Sequence, residues 1–295
     1  MELILNINQY GYSTFLDANV DIFAIGIKDF SMGYIMKYSL EDIPSITKYI
    51  HEKNKKIYLS FNAALNEKSI QELEKLMSNI ADLNVDGFII NDFGVFELFK
   101  EYNLTDKIIF NPSTLITNKY SAKYYNDFGI NHVCVANEIN YKDLLEIAKF
   151  TDGNIELLAQ GYFQICNSKR PLITHFLNQF KNKHASETNH YYIKEENRDY
   201  AYPIHQVDDN LLIYVDKQRC LLPYLKDLID QNIKYLRIDT TFLDINEINT
   251  IVEVYNNAIN DISKIDEGLE KLKTTNSNFT CLDTISILKK EKENE

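Results

Sequence analysis

Glycine and proline are scarce in this chain, 9 and 5 among 295 residues, and neither gathers into a linker. That excludes collagen-like and low-complexity classes and leaves no composition break at which to cut the sequence into separate domains. Cysteine is sparser still: four, at 134, 166, 220 and 281, with no CxxC pair and no regular spacing. A disulfide scaffold is excluded, and the cysteines read as reduced thiols of a cytoplasmic protein. Positive charge is also short, 31 Lys and Arg against 43 Asp and Glu, a net of −12. This argues against the chain holding a nucleic acid or an anionic membrane by itself, because both are polyanions. No apolar run approaches the roughly 18 residues of a membrane span. The opening MELILNINQY lacks the basic segment and apolar stretch of a signal peptide. GxSxG, HExxH, the P-loop and the dinucleotide GxGxxG are all missing.

What the sequence does hold is a rhythm. With 45% hydrophobic and 25% charged residues it is an ordinary globular composition, and a chain of this size hides roughly 75% of its unfolded surface on folding. Short apolar runs occur at 3–7, 22–27, 57–61, 87–90, 108–110, 133–136, 155–159 and 235–238. Each is too short for a helix and ends in turn-forming residues, as buried parallel strands do. Amphipathic helical patterns lie between most of them: 39–53 with Ser39 as N-cap, 69–83, 141–149 and 223–231. Eight such units predict an α/β fold, a closed (β/α)8 TIM-like barrel, with an open doubly wound sheet as the alternative. About 75 residues separate the seventh run from the eighth, where one helix would suffice. The expected layout is therefore a barrel over 1–262 that includes an insertion at 163–232 with strand-like runs at 191–194 and 211–215, then a charged C-terminal extension at 263–295, solvated or with 279–288 folded back onto the barrel. The insertion leaves the end of strand seven, so it is expected over the C-terminal mouth, with Tyr191, Tyr192, Tyr200 and Tyr202 against the rim.

Residues just past the strands of such a barrel converge on that mouth. They are Asn62, Asn91 with Asp92, Asn111 with Ser113, Asn137 with Glu138, Gln160 and Asp239, the last beside Arg237. Asn and Asp also end strands simply because they favour turns. Taken together they predict a pocket rich in amides, which hydrogen-bond a polar ligand but do not titrate. His51 and His132 read as structural. His175, His184, His190 and His205 cluster around the insertion with spacing too irregular for a metal site. Residues 163–200 carry six Lys and Arg against four Asp and Glu, a slight basic bias in an acidic chain.

Three blocks in the insertion are specific: QGYFQICNSKRPLITHF (160–176), YYIKEENRDYAYPI (191–204) and VDKQRCLLPYLKDLIDQNIKYLRID (215–239). In this order the chain resembles the U32 family, long catalogued as collagenase-like peptidases. Looser similarity runs through FAIGI (23–27) and KKIYLSFNA (55–63). The resemblance implies a barrel fold and, in many members, an iron–sulfur cluster on four cysteines. Here the family's HGxxC falls on Gln160, Gly161, Tyr162, Phe163 and Gln164, and its SxRC on Ser168, Lys169, Arg170 and Pro171. The stretch ASETNH (185–190) has no cysteine, and Cys166 is two residues out of register. Cys220 is the one retained ligand position, and a single thiolate does not hold a cluster that takes four. The expectation is a chain with no cofactor and no metal.

The SKRPL form resembles the smaller subunit of paired U32 proteins of Firmicutes. That implies hydroxylation of a tRNA wobble uridine with a second U32 subunit, tRNA engaged only through the pair, and a small carboxylate such as prephenate as oxygen source. A U32-type peptidase or hydrolase, and an anion-binding barrel that has lost catalysis, are the alternatives. The expected ligand residues are Asn62, Asn111, Glu138, Gln160, Lys169, Arg170, Arg237 and Asp239. Arg170, with Lys169 beside it, is the expected bidentate partner of a carboxylate, or else a structural ion-pair partner of Asp239 or Glu138.

Overall fold

In the computed structural model, residues 1–179, 190–197, 199–208, 210–276 and 278–281 are described. The chain runs β1 (Glu2–Ile7), β2 (Ile22–Ile27), β3 (Lys37–Tyr38), α1 (Ile43–Glu52), β4 (Lys56–Phe61), α2 (Glu67–Ala81), β5 (Gly87–Ile90) and α3 (Phe93–Glu101). It continues β6 (Ile108–Phe110), α4 (Lys119–Asp127), β7 (His132–Cys134), α5 (Tyr141–Phe150), β8 (Ile155–Gly161), β9 (Gln164–Ser168), α6 (Leu172–Gln179) and β10 (His190–Lys194). Then come β11 (Ala201–Val207), β12 (Asn210–Tyr214), β13 (Gln218–Cys220), α7 (Leu225–Asp230), β14 (Tyr235–Asp239), α8 (Ile245–Asn260), α9 (Ile265–Thr275) and β15 (Phe279–Thr280).

Eight strands pair in parallel in the order β14-β1-β2-β4-β5-β6-β7-β8, and β14 pairs with β8 to close the ring. The open-sheet alternative is thereby removed: this is a TIM-like barrel. Alternation along the strands sorts the side chains. Leu3, Leu5, Phe23, Ile25, Ile57 and Leu59 face outward into the layer built with the helices, while Ile4, Ile22, Ala24, Tyr58, Ile89, Ile109 and Cys134 form a second buried cluster inside the barrel. Helices start where an Asx side chain caps them. Asn66, Asp92, Asn118, Asn140 and Asp244 each accept from backbone N–H groups of the first turn.

The structure corrects the sequence reading in three places. Helix α1 begins at Ile43 rather than Ser39, because Pro44 has no N–H to give and fits only the first turn. Ser39 instead donates to the Asp42 carboxylate at 2.8 Å. The segment after 262 is not simply a solvated extension: α9 packs on α8, with Leu272 buried and Gly268 so close that a Cβ there would lie 2.7 Å from Val254. Residues 282–295 lie outside the described residues, as do His184 and most of ASETNH. Third, the insertion is a four-stranded antiparallel sheet of its own, β10-β11-β12-β9, in which β9 and β11 were not visible as strands.

That sheet sits over the C-terminal mouth. Phe242, in the loop after β14, is the anchor: the rings of Tyr214, Tyr162 and His205 lie 5.1, 5.7 and 5.8 Å from it. Val215 N–H donates to the Phe163 carbonyl at 3.1 Å, and Lys37 pairs with Asp208 at 2.6 Å. Of the tyrosines expected on the rim, Tyr192 is 68% exposed and Tyr200 39% exposed, with Tyr200 edge-on to Tyr202 at 5.4 Å, while Tyr191 and Tyr202 are half-buried. Among the described residues no helix is long and apolar enough to cross a membrane.

Candidate ligand site at the barrel mouth

Between the strand ends and the inserted sheet lies a cavity of about 130 Å³. It is smaller than the roughly 300–1,000 Å³ of pockets that enclose drug-sized ligands, so it suits one ring or one charged arm of a molecule. Its barrel wall carries Asn6, Asn8, Asn62, Asn91, Asn111, Asn137, Arg237 and Asp239; its roof carries Tyr162, Phe163, Gln164, Asn167 and Tyr214. Among the described residues Arg237 and Asp239 are the charged members of that lining, which holds no described His, Cys or Lys.

Several wall residues are placed by definite bonds. The Asp239 carboxylate accepts from Asn6 Nδ2 at 2.8 Å, Asn8 Nδ2 at 3.1 Å and the Thr241 N–H at 3.0 Å. Tyr34 donates to Asn6 Oδ1 at 2.6 Å, and burial pushes its phenol up, so it stays a neutral donor. Tyr34 reaches the barrel interior because residue 26 is glycine; a Cβ there would meet the Tyr34 ring at 2.5 Å. Asn62 is committed to structure, clasping Met32 through its N–H at 2.9 Å and its carbonyl at 3.2 Å. Asn91 donates to the Asn62 carbonyl at 2.9 Å, leaving its own buried Oδ1 without a partner among the described residues. Among the described residues Asn111 Oδ1 accepts only a long 3.4 Å bond from Ser113 N–H, and its amide nitrogen has no described partner.

Below the cavity a charged cluster crosses the barrel floor. Arg237 Nε pairs with Glu156 Oε1 at 3.0 Å, and Glu156 Oε2 meets His132 Nε2 at 2.8 Å. The His132 ring stacks on Tyr235 at 3.8 Å. Burial works against the Glu156 charge, yet Arg237 and His132 hold its pKa below the ordinary value. Burial likewise opposes the Arg237 charge, and Glu156 outweighs it, so the guanidinium stays protonated. His132, Cys134 and Glu156 offer ligand atoms within 4.8 Å of one another. Both Glu156 oxygens are already engaged and burial pushes the Cys134 thiol up, so the trio is a charge-compensated floor rather than an open metal site.

Of the residues expected from sequence, Asn62, Asn111, Arg237 and Asp239 line the cavity, with Asn91, Ser113 and Asn137. Five others do not line it. Gln160 is 1% exposed and turns away, donating to Gln218 at 2.9 Å, which donates to Glu247 at 2.6 Å. Asp92 is spent as the cap of α3 at 2.7 Å. Glu138 sits half-buried in the loop after β7, and Lys169 and Arg170 are exposed at the outer end of β9. Arg170 makes no ion pair with Asp239 or Glu138. Sequence reasoning missed Asn6, Asn8 and Tyr34. Asn8 directly follows β1, and the same strand-end rule applied to the first run would have found it.

A four-thiolate cluster does not fit the donors present. All four cysteines are described: Cys134 is inside the barrel, Cys166 exposed on β9, Cys220 buried at the end of β13 and Cys281 after β15. The positions that the family resemblance assigns to two further thiolates hold Gln164 and Pro171.

Comparison with known proteins gives a consistent relationship. The family model described as Peptidase family U32 matches residues 9–285. The chain is 23% identical over 249 residues to tRNA hydroxylation protein P2 of Bacillus subtilis, covering 83% of this chain and 80% of that one. It is 20% identical over 240 residues to tRNA hydroxylation protein P1 of the same organism, spanning 54% of it. Against a 23S rRNA 5-hydroxycytidine synthase of Escherichia coli it is 26% identical over 157 residues, 23% of that longer protein. A solved U32 peptidase superposes with a TM-score of 0.47 at 14% identity over 81% of this chain and 92% of that one.

Proposed function

The chain belongs to peptidase family U32, and from that membership we propose that it serves RNA hydroxylation, as one subunit of a pair with a second U32 protein. The observation that carries this reading is the match to tRNA hydroxylation protein P2 over four-fifths of both chains. Among the described residues the cavity lining holds no His or Cys to serve as imidazole base or thiol nucleophile, which favours this reading over hydrolysis.

In this reading the mouth holds a small carboxylate, of which prephenate is the expected kind, through the cavity edge of Arg237. Asn111 donates from its amide nitrogen, and the orphaned Asn91 Oδ1 accepts a ligand hydroxyl. Asp239, held by Asn6 and Asn8, fixes the opposite wall and disfavours a second anionic group there. The subunit carries no iron–sulfur cluster of its own. A net charge of −12 leaves most of the RNA-binding surface to the partner, with Lys169 and Arg170 placed to add two cations at the rim. The pair acts in the cytoplasm.

The test is to delete the chain in its native host and to purify a tagged copy from the same background. Loss of a hydroxylated uridine from tRNA, together with recovery of a second U32 chain, is the expected result. Unchanged tRNA nucleosides would remove the reading.

A further inference from the structure

Two cysteines 61 positions apart in sequence are brought side by side in the fold. Strand β13 pairs in parallel with β15, Gln218 opposite Phe279 and Arg219 opposite Thr280. The next residues in that register are Cys220 and Cys281. Neighbouring strands lie about 4.8 Å apart, inside the Cα separation of roughly 4.4–6.8 Å that a disulfide requires.

The pair is chemically unequal. Cys220 is fully buried, with the Tyr255 hydroxyl 4.0 Å from its sulfur. Cys281 is half-buried. A reachable thiol beside a buried one is the arrangement of an attacking and a resolving cysteine. Neither residue lines the cavity.

We propose that Cys220 and Cys281 form an intramolecular disulfide on reaction with a hydroperoxide, fastening β15 to β13. The Cys281 thiolate attacks the distal peroxide oxygen and, with one proton, gives a sulfenic acid and an alcohol, or water from hydrogen peroxide. The Cys220 sulfur then attacks the sulfenic sulfur, and its proton leaves with the hydroxyl as water. Two thiols are oxidised and one peroxide is reduced. Because β13 pairs with the end of β8 at Gln160 and Gly161, the crosslink ties the C-terminal segment to the strand that leads into the cavity roof. The inference stands apart from the RNA-hydroxylation reading.

The experiment uses the full chain with Cys166→Ser, which removes the exposed thiol that would crosslink separate molecules. The reduced protein is treated with one equivalent of hydrogen peroxide and mapped by mass spectrometry without reduction. The expected result is a peptide joining residues 220 and 281, a loss of two thiols in denaturant, and reversal by dithiothreitol with a fall in melting temperature. Cys220→Ser should instead accumulate a dimedone-reactive sulfenic acid at Cys281, and Cys281→Ser should leave Cys220 unreactive. Oxidation of Cys281 to sulfinic acid with no crosslink, crosslinks only between molecules, or no reaction at either cysteine would overturn the proposal. The mapping of the Cys166→Ser protein decides the matter even if a Cys220 variant fails to fold.

Discussion

Replacing Arg237 with methionine tests the charged floor beneath the cavity. Methionine keeps most of the arginine's length and its apolar stem, so the change removes the cation with little loss of packing. What remains is Glu156, 2% exposed, whose Oε1 loses its partner at 3.0 Å and whose Oε2 keeps only His132 at 2.8 Å. Breaking a buried pair from one side costs about 3–5 kcal/mol. Arg237 also lines the cavity and His132 stays in place, so the lower end, about 3 kcal/mol, is expected. At about 2–4 °C per kcal/mol for a chain of this class, the melting temperature should fall by about 6–12 °C.

The pH dependence separates this explanation from simple loss of packing. In the native protein the Glu156 pKa is lowered, so its contribution is present above the unfolded value of about 4.3 and is lost as pH falls through the folded pKa. In Arg237→Met the unshielded carboxylate has a raised folded pKa. Its effect is then destabilising, and grows as pH rises from the unfolded pKa through the folded one. The stability gap between the two proteins should therefore widen from acid to neutral pH. Adding Glu156→Gln should recover about 2 kcal/mol or more as a coupling energy. Urea titrations at several pH values measure all of this. A gap below about 1 kcal/mol at neutral pH, or one that does not change with pH, would refute the charge-compensation argument.

Other consequences follow from single contacts. Gly26→Ala should displace Tyr34, break its bond to Asn6 and cost about 1–3 kcal/mol, read by urea denaturation. Tyr255→Phe removes the hydroxyl that donates to the Ala159 carbonyl at 2.8 Å and accepts from Leu221 N–H at 3.1 Å, and should cost about 1–2 kcal/mol in the same assay. Asn66→Ala strips the cap of α2 and should cost about 1 kcal/mol. Anaerobic purification should yield a colourless protein without the broad visible absorption of an iron–sulfur cluster; a brown preparation rich in iron would contradict the donor-set argument.

The barrel was legible because its signal is repeated: eight short apolar runs, each bounded by turn residues, with amphipathic helical patterns between most of them. Closure was not legible in the same way, since the β8–β14 pairing joins residues some 80 apart and leaves no periodic trace. The inserted sheet was half visible. Strand β12 reads as LLIY, but β9 is polar and β11 contains Pro203, so neither has the alternation of a strand. Helix α9 hides a narrow stripe of Ile265, Leu269 and Leu272 among charges. At the site, strand-end reasoning found Asn62, Asn111, Arg237 and Asp239 because the barrel aims them at one point. It lost Gln160, which follows the same rule until Gly161, at φ 131°, turns the chain away. The floor of Glu156, His132 and Arg237 comes from three different strands, and no spacing within the sequence announces it.

The central claim, that the amide-lined mouth serves RNA hydroxylation, is tested most directly by complementation. tRNA from a deletion strain carrying wild type, Asn111→Ala or an empty vector is digested, and its nucleosides are quantified by mass spectrometry. Among the described residues the Asn111 side chain makes only a 3.4 Å bond to its own loop, so its loss should leave stability within about 1 kcal/mol of wild type. Losing one ligand hydrogen bond of about 0.5–1.5 kcal/mol should cut the restored modification severalfold. Wild type restoring a hydroxylated uridine, with the variant folded but restoring severalfold less, is the predicted result. A deletion strain whose tRNA nucleosides match those of the parent would contradict the account.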